Sequence, residues 1–270
     1  MSSAVDDPIV LVAHGSRDPR AARTTEVLAR AVAAGQPGAE VRAAYLDHTP
    51  PAPNVVLRAL AAAGHRGAVL VPLLLTAAYH RRVDLPGAVA AARAEGLRMS
   101  VRIADVLGPT DGPVDPLLLA ALRRRLAEAV RGSSGIDGTA PDGIAPDGTA
   151  FDSVVLAAAG TRDPRARDSV AAVATALGAA LDVPCLPAYV SAASPTPAEA
   201  VRGLRAKGLR RVAVAAYFIA PGRLYEAAAA STRAAGAVAV AAPLADAPEI
   251  VRLIQRRTAG APGTASRGAG

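Results

Sequence analysis

The sequence predicts an α/β protein of two tandem units, each a small parallel sheet flanked by helices, and three observations carry that prediction. Apolar β-type runs alternate with Ala/Leu/Arg-rich helical segments, the signature of parallel strands joined by right-handed crossovers. Hydrophobic residues make up 51% of the chain but aromatic ones only 3%, so the core is built of Ala, Val and Leu, which let helices lie close on a sheet. The chain also repeats itself, and 270 residues are enough for two such units.

The elements follow in order. Ile9 to Ala13 reads as the first strand, and Asp18 then offers an N-cap with Pro19 in the first helical position, opening a helix to about Ala34. Val41 to Leu46 is a second strand and Asn54 to Ala63 a helix. Ala68 to Leu75 is nearly all apolar, as a central strand covered on both faces should be. A helix over Leu85 to Glu95, a strand over Ser100 to Val106 and a helix over Asp115 to Arg131 complete the first half. Residues 132–150, GSSGIDGTAPDGIAPDGTA, cannot build a core and are expected to form a flexible linker. The expected organisation is a first domain over 1–131 carrying the active site, the linker, a second domain over 151–258, and a disordered tail over 259–270.

In the repeat, Gly160 falls on Gly15, Thr161 on Ser16, and Arg162-Asp163-Pro164-Arg165 on Arg17-Asp18-Pro19-Arg20. The histidines are different. His14 meets Ala159, His48 meets Ala192, His65 meets Leu209 and His80 meets Leu224, so all four histidines of the chain lie in the first copy. A scaffold that keeps its turn residues but not its imidazoles separates fold from chemistry: RDPR belongs to capping, and the histidines are the candidates for function.

Charge and cysteine content exclude several classes. The formal charge is +7, but Lys207 is the only lysine, the arginines are scattered through Ala-rich helices, and few aromatics are present to stack on bases. No nucleic acid is expected; an anionic small molecule suits the surplus arginine better. Cys185 is the only cysteine, which rules out an intrachain disulfide and a cysteine-built metal cluster and fits a reducing cytoplasm. The N-terminal MSSAVDDPIV has no basic region ahead of an apolar stretch, and the longest uncharged apolar run, Ala68 to Tyr79, is too short for a bilayer. No secretory signal and no membrane partner are expected.

In open parallel sheets ligands bind beyond the carboxyl ends of the strands, where the strand order reverses. With an order 2-1-3-4 that point lies between the first and third strands, which His14 and His80 respectively follow, so the two are expected to face each other across one crevice. Asp47, at the end of the second strand, offers a carboxylate; its counterpart is Ser191. His48 is expected to point away from the cleft, and His65, in a Gly64-His65-Arg66-Gly67 turn, to be solvated. Imidazoles with a carboxylate and no cysteine suit a borderline divalent ion such as Fe2+, Co2+, Ni2+ or Zn2+, and few ligands on loops make an open, exchangeable site. Neutral imidazoles also accept protons near pH 7. Metal insertion into a macrocycle requires both, because two pyrrole N–H protons leave as the ion enters. Arg17, Arg20, Arg81 and Arg82 stand nearby and could hold carboxylates, although surface roles are the ordinary expectation for each.

The HGSRDP turn after the first strand and the PLLLTAAYHRRVDLP segment after the third resemble the sirohydrochlorin chelatases of the CbiX/SirB type, class II chelatases whose long form is a tandem of two chelatase-like α/β domains. That resemblance covers both halves. It implies a lyase-type metal chelatase that inserts Co2+ or Fe2+, with Ni2+ a further candidate, into an anionic tetrapyrrole for cobalamin or siroheme biosynthesis, without an organic cofactor or ATP. By position, His14 is implied as metal ligand and proton acceptor and His80 as second ligand. Leu75, Thr76, Ala77, Ala78, Tyr79 and His80 are implied to line the tetrapyrrole. Asp47 stands where the family commonly has glutamate. The second half, lacking the histidines, is expected to cover the macrocycle or to make the monomer an internal pseudo-dimer; a homo-oligomer is the other option. The rival to an enzyme is a non-catalytic metal or tetrapyrrole carrier. A phosphotransfer enzyme using His14 would place arginine directly before it, where this chain has Ala13.

Overall fold

A run such as IVLVA has no polar side of its own and must be covered on both faces, which a parallel sheet between helices provides. The computed structural model describes residues 7–76, 85–110, 112–133 and 150–261. In them β1 (Ile9–Ala13), α1 (Pro19–Ala34), β2 (Val41–Tyr45), α2 (Pro53–Ala62), β3 (Gly67–Pro72), α3 (Leu85–Ala94), β4 (Ser100–Ile103) and α4 (Pro116–Ser133) follow one another. After them come β5 (Ser153–Ala158), α5 (Pro164–Leu181), β6 (Cys185–Tyr189), α6 (Pro197–Ala206), β7 (Val212–Tyr217), α7 (Arg223–Ala234), β8 (Ala239–Val240) and α8 (Pro248–Ala259). The expected linker and tail fall almost wholly outside the described residues.

Both sheets are parallel, with the orders β2-β1-β3-β4 and β6-β5-β7-β8, so the expected arrangement is present twice. β1 pairs with β2 from Ile9↔Val41 to Ala13↔Tyr45 and with β3 from Ile9↔Val69 to Val12↔Pro72. Alternate residues go to opposite faces. Val10, Val12, Ala68 and Leu70 meet Val56, Leu57 and Leu60 of α2 and Leu85 and Val89 of α3, forming one core layer. In the second sheet Val155, Ala157, Val212 and Val214 pack on Ala200, Val201 and Leu204 of α6 and Ala228 of α7.

β3 stops at Pro72, short of the expected Leu75. Proline has no N–H to donate to a ladder and ends the regular pairing. Leu73 still donates its N–H to Val12 O (2.8 Å) and stays buried, so the apolar run keeps one more bond to β1 and continues as core beyond the end of the strand.

Compactness divides the chain at other places than the repeat does. One unit takes the described residues up to Leu107 and those from Val251 on; the other runs from Gly108 to Ile250. Thus α4, which by sequence closes the first copy, packs on α5, β7 and β8. There its Arg124 forks onto Glu249 (2.6–3.0 Å) and its Arg125 onto Asp246 (2.6 Å). The later part of α8 joins the first unit, where Arg257 Nε donates to Val106 O (3.0 Å) and Arg102 Nη1 to Ala261 O (3.1 Å).

Candidate active site at the carboxyl ends of β1 and β2

The pairing of β1 with β2 outlasts the strands and fixes two loops side by side. Leu46 donates its N–H to Ala13 O (3.0 Å) and Asp47 to His14 O (2.9 Å). Gly15 then turns at φ +94°, and a Cβ there would overlap the carbonyl oxygen of Asp47, so both the backbone angle and the close approach require glycine. Thr49 Oγ1 donates to Ser16 O (3.0 Å), a second tie between the loops. Ser16 Oγ accepts from Asp18 N (3.0 Å), and the Asp18 carboxylate accepts from Arg20 N (2.9 Å), capping α1. His14 thus emerges from β1 at the order reversal, exposed and on a braced turn.

The second unit carries the same frame without the histidine. Ser191 donates its N–H to Ala159 O (3.0 Å), Gly160 turns at φ +100°, Thr161 Oγ1 accepts from Asp163 N (3.1 Å) and Asp163 caps α5. RDPR is therefore a capping device in both copies.

The Asp47 carboxylate is exposed and oriented. Its Oδ1 accepts from the His48 N–H (2.7 Å) and its Oδ2 lies 3.3 Å from His48 Nε2, the two side chains being 60% and 37% exposed. His48, expected to be a solvated residue, is exposed, and its imidazole rests on the carboxylate beside it. His65 lies ahead of β3, at the opposite end of the sheet, with Nε2 2.9 Å from Glu40 Oε2 and only 22% of its side chain exposed. This is a structural hydrogen bond rather than a solvated turn.

Of the arginines, Arg20 is committed to Asp18, with Nε 3.1 Å from Oδ1 and Nη2 2.7 Å from Oδ2, and this pairing holds the Asp18 carboxyl below its ordinary range. Arg17 is exposed. Leu75 and Thr76 follow β3 half-buried, and Leu74 O accepts from Leu107 N (2.8 Å). Ala77, Ala78, Tyr79, His80, Arg81 and Arg82 lie outside the described residues. Among the described residues no group of three or more His, Cys, Asp and Glu side chains gathers to hold a metal.

Comparison with known proteins places this frame. The family model CbiX matches residues 8–129 and again residues 153–261. The chain belongs to the CbiX family. The two copies of the family unit correspond to the two four-stranded sheets, each match running on into the helix that follows its fourth strand. Among solved structures, this CbiX-family chain is similar to SirB from Bacillus subtilis with Fe3+, at 19% identity and a TM-score of 0.74, over 94% of each chain. It is similar to the sirohydrochlorin chelatase SirB from Bacillus subtilis subspecies spizizenii in complex with cobalt, at 17% identity and a TM-score of 0.73, over 94% of each. DR2241 from Deinococcus radiodurans, a multi-domain protein with structural similarity to chelatases, matches at 19% identity and a TM-score of 0.63, over 99% of this chain and 57% of that one. At such identities these likenesses speak to the fold. No curated protein matches the CbiX-family chain.

Proposed function

We propose that this chain is a sirohydrochlorin chelatase, inserting Co2+ or Fe2+ into an anionic tetrapyrrole from a site in its first half. The observation that carries the reading is His14, standing at the order reversal of a sheet whose twin keeps the backbone bonds and the helix cap of the turn but has Ala159 in its place. Membership of the CbiX family and the metal-containing SirB structures support it. The metal is a substrate here, and the reaction uses no organic cofactor.

Charge balance defines what the residues do. A divalent ion enters as two pyrrole N–H protons leave, so the site needs ligands that give up the ion and a base that takes a proton. His14 is assigned as ligand and proton acceptor, and His80 as the second ligand. The loop from Leu75 to His80 is assigned to line the macrocycle, with Asp47 at its rim. Imidazole and carboxylate donors accept cobalt and iron alike, which leaves both the cobalamin and the siroheme routes open to one site.

Anaerobic absorbance spectroscopy tests this with sirohydrochlorin and Co2+ or Fe2+. The chain should metallate the macrocycle faster than the uncatalysed reaction, and His14→Ala and His80→Ala should each lower the rate by about 100-fold or more. Binding of metal or tetrapyrrole without acceleration would identify a carrier instead. Unchanged turnover in either variant would remove that residue from the site.

A further inference from the structure

We propose that a basic pocket at the amino ends of β3 and β4, at the opposite end of the first sheet from His14, binds a small anion carrying two or more negative charges. The pocket is distinct from the insertion site, and its ligand does not depend on that assignment.

The pocket holds about 600 Å3, the size of a small-molecule site. Arg58 and Ala61 of α2, Arg66 ahead of β3, and Gly96 and Arg98 between α3 and β4 line it. Its space follows from one difference between the copies, since Arg205 stands in the second where the first has Ala61. The Arg205 guanidinium donates through Nη1 to Arg210 O (2.8 Å) and to Gly236 O (3.1 Å), and a Cβ on Gly236 would lie 3.2 Å from its Cζ. Gly96 follows α3 as Gly236 follows α7, each at a left-handed φ and each donating its N–H to the carbonyl three residues back. Yet nothing lies within 4 Å of a Cβ placed on Gly96. A side chain fills this corner in one copy, and the other keeps it open.

Charge selects the ligand. Arg58 is held by Glu95 (2.9 Å), whereas the exposed Arg66 and Arg98 have no side-chain partner among the described residues. His65 lines the pocket too and leans on Glu40, whose other oxygen accepts from Arg42 Nε, so that carboxylate brings no surplus negative charge. The carbonyl ends of α2 and α3 close on the pocket and contribute about −0.5 charge each. Three guanidinium charges outweigh one carboxylate and two such helix ends, and the two uncommitted planar forks can each take an anionic group of one molecule. Phosphate and carboxylate oxygens offer a guanidinium the same acceptors, so a phosphorylated metabolite and a polycarboxylate both have the required chemistry.

Calorimetric titration of the full chain with pyrophosphate and with citrate, without metal and at about 0.1 M salt, tests this. At least one of the two should bind with one equivalent; tighter binding of pyrophosphate assigns the pocket to phosphorylated metabolites, and tighter binding of citrate to polycarboxylates. Arg98→Ala should weaken the tighter anion by about 10-fold or more. Ala61→Met, which fills the corner with an uncharged side chain much as Arg205 fills its own, should weaken it as much. Arg202→Ala, at the counterpart of Arg58 in the second copy, should leave binding unchanged. Binding of neither anion, or unchanged affinity in Arg98→Ala and Ala61→Met, overturns the assignment. So does equal weakening in Arg202→Ala, which would mean diffuse attraction to an arginine-rich surface.

Discussion

Gly15 bears a tight constraint at the turn after β1, since its backbone lies against the Asp47 carbonyl at a left-handed angle. Gly15→Ala should therefore cost about 2–4 kcal/mol, combining an unfavourable φ with an overlap that backbone atoms cannot relieve. Gly38→Ala is the control: it has a similar φ of +93° with nothing within 4 Å, and should cost about 1 kcal/mol. Urea unfolding midpoints of the two variants measure the difference, and equal losses would show that the loop contact is not tight. The placement of His14 after β1 at the order reversal was legible in the sequence, and the repeat singles the residue out because it supplies an internal control, similar turn residues with and without an imidazole. The pairing of His48 with Asp47 was not, because it depends on a left-handed φ inside a loop, and Ala192 shows that neither a glycine nor an asparagine marks that position.

The capping of α1 and α5 by Asp18 and Asp163 could be read directly from Asp-Pro at the start of an Ala-rich segment, and the structure has both bonds. Asp163→Ala should destabilise the second unit by about 1 kcal/mol, seen as a lower thermal midpoint, while leaving the proposed metal insertion unchanged. Strand limits were less legible. The run from Ala68 to Leu75 is uniformly apolar, and the pattern cannot tell residues that pair in a sheet from residues such as Leu73 that merely stay in the core after Pro72 ends β3. The sheet order, by contrast, is that of the common doubly wound pattern in which the first strand lies between the second and third, and both sheets have it.

At the scale of the molecule, the sequence shows which stripe of α4 is buried, namely Leu118, Ala121, Leu122 and Leu126, but not which sheet covers it. Periodicity records that a face is apolar; it carries no address. Leu122→Ala should cost about 2–5 kcal/mol and lower amide-exchange protection in β7 and β8, although residue and strands belong to different copies of the repeat. Loss of protection in β1 and β3 instead would contradict the packing. A second whole-molecule property is alkaline lability. Burial pushes the Cys185 thiol up to about 12 and the Tyr217 hydroxyl upward as well, so the folded chain keeps protons that the unfolded chain releases near pH 8.5 and 10. The stability this contributes is complete below about pH 8.5 and is lost as pH climbs towards the folded-state values. The thermal midpoint should fall between pH 8 and 10.5, less steeply in Cys185→Ala. The destination of α4 also gives the second copy a structural task that needs no imidazole. Without β7 and β8 the apolar stripe of α4 would face water. Substitutions at the strand-end positions Ala159 and Ala192 should therefore cost the fold less than substitutions on the sheet face that receives a helix from its neighbour in sequence.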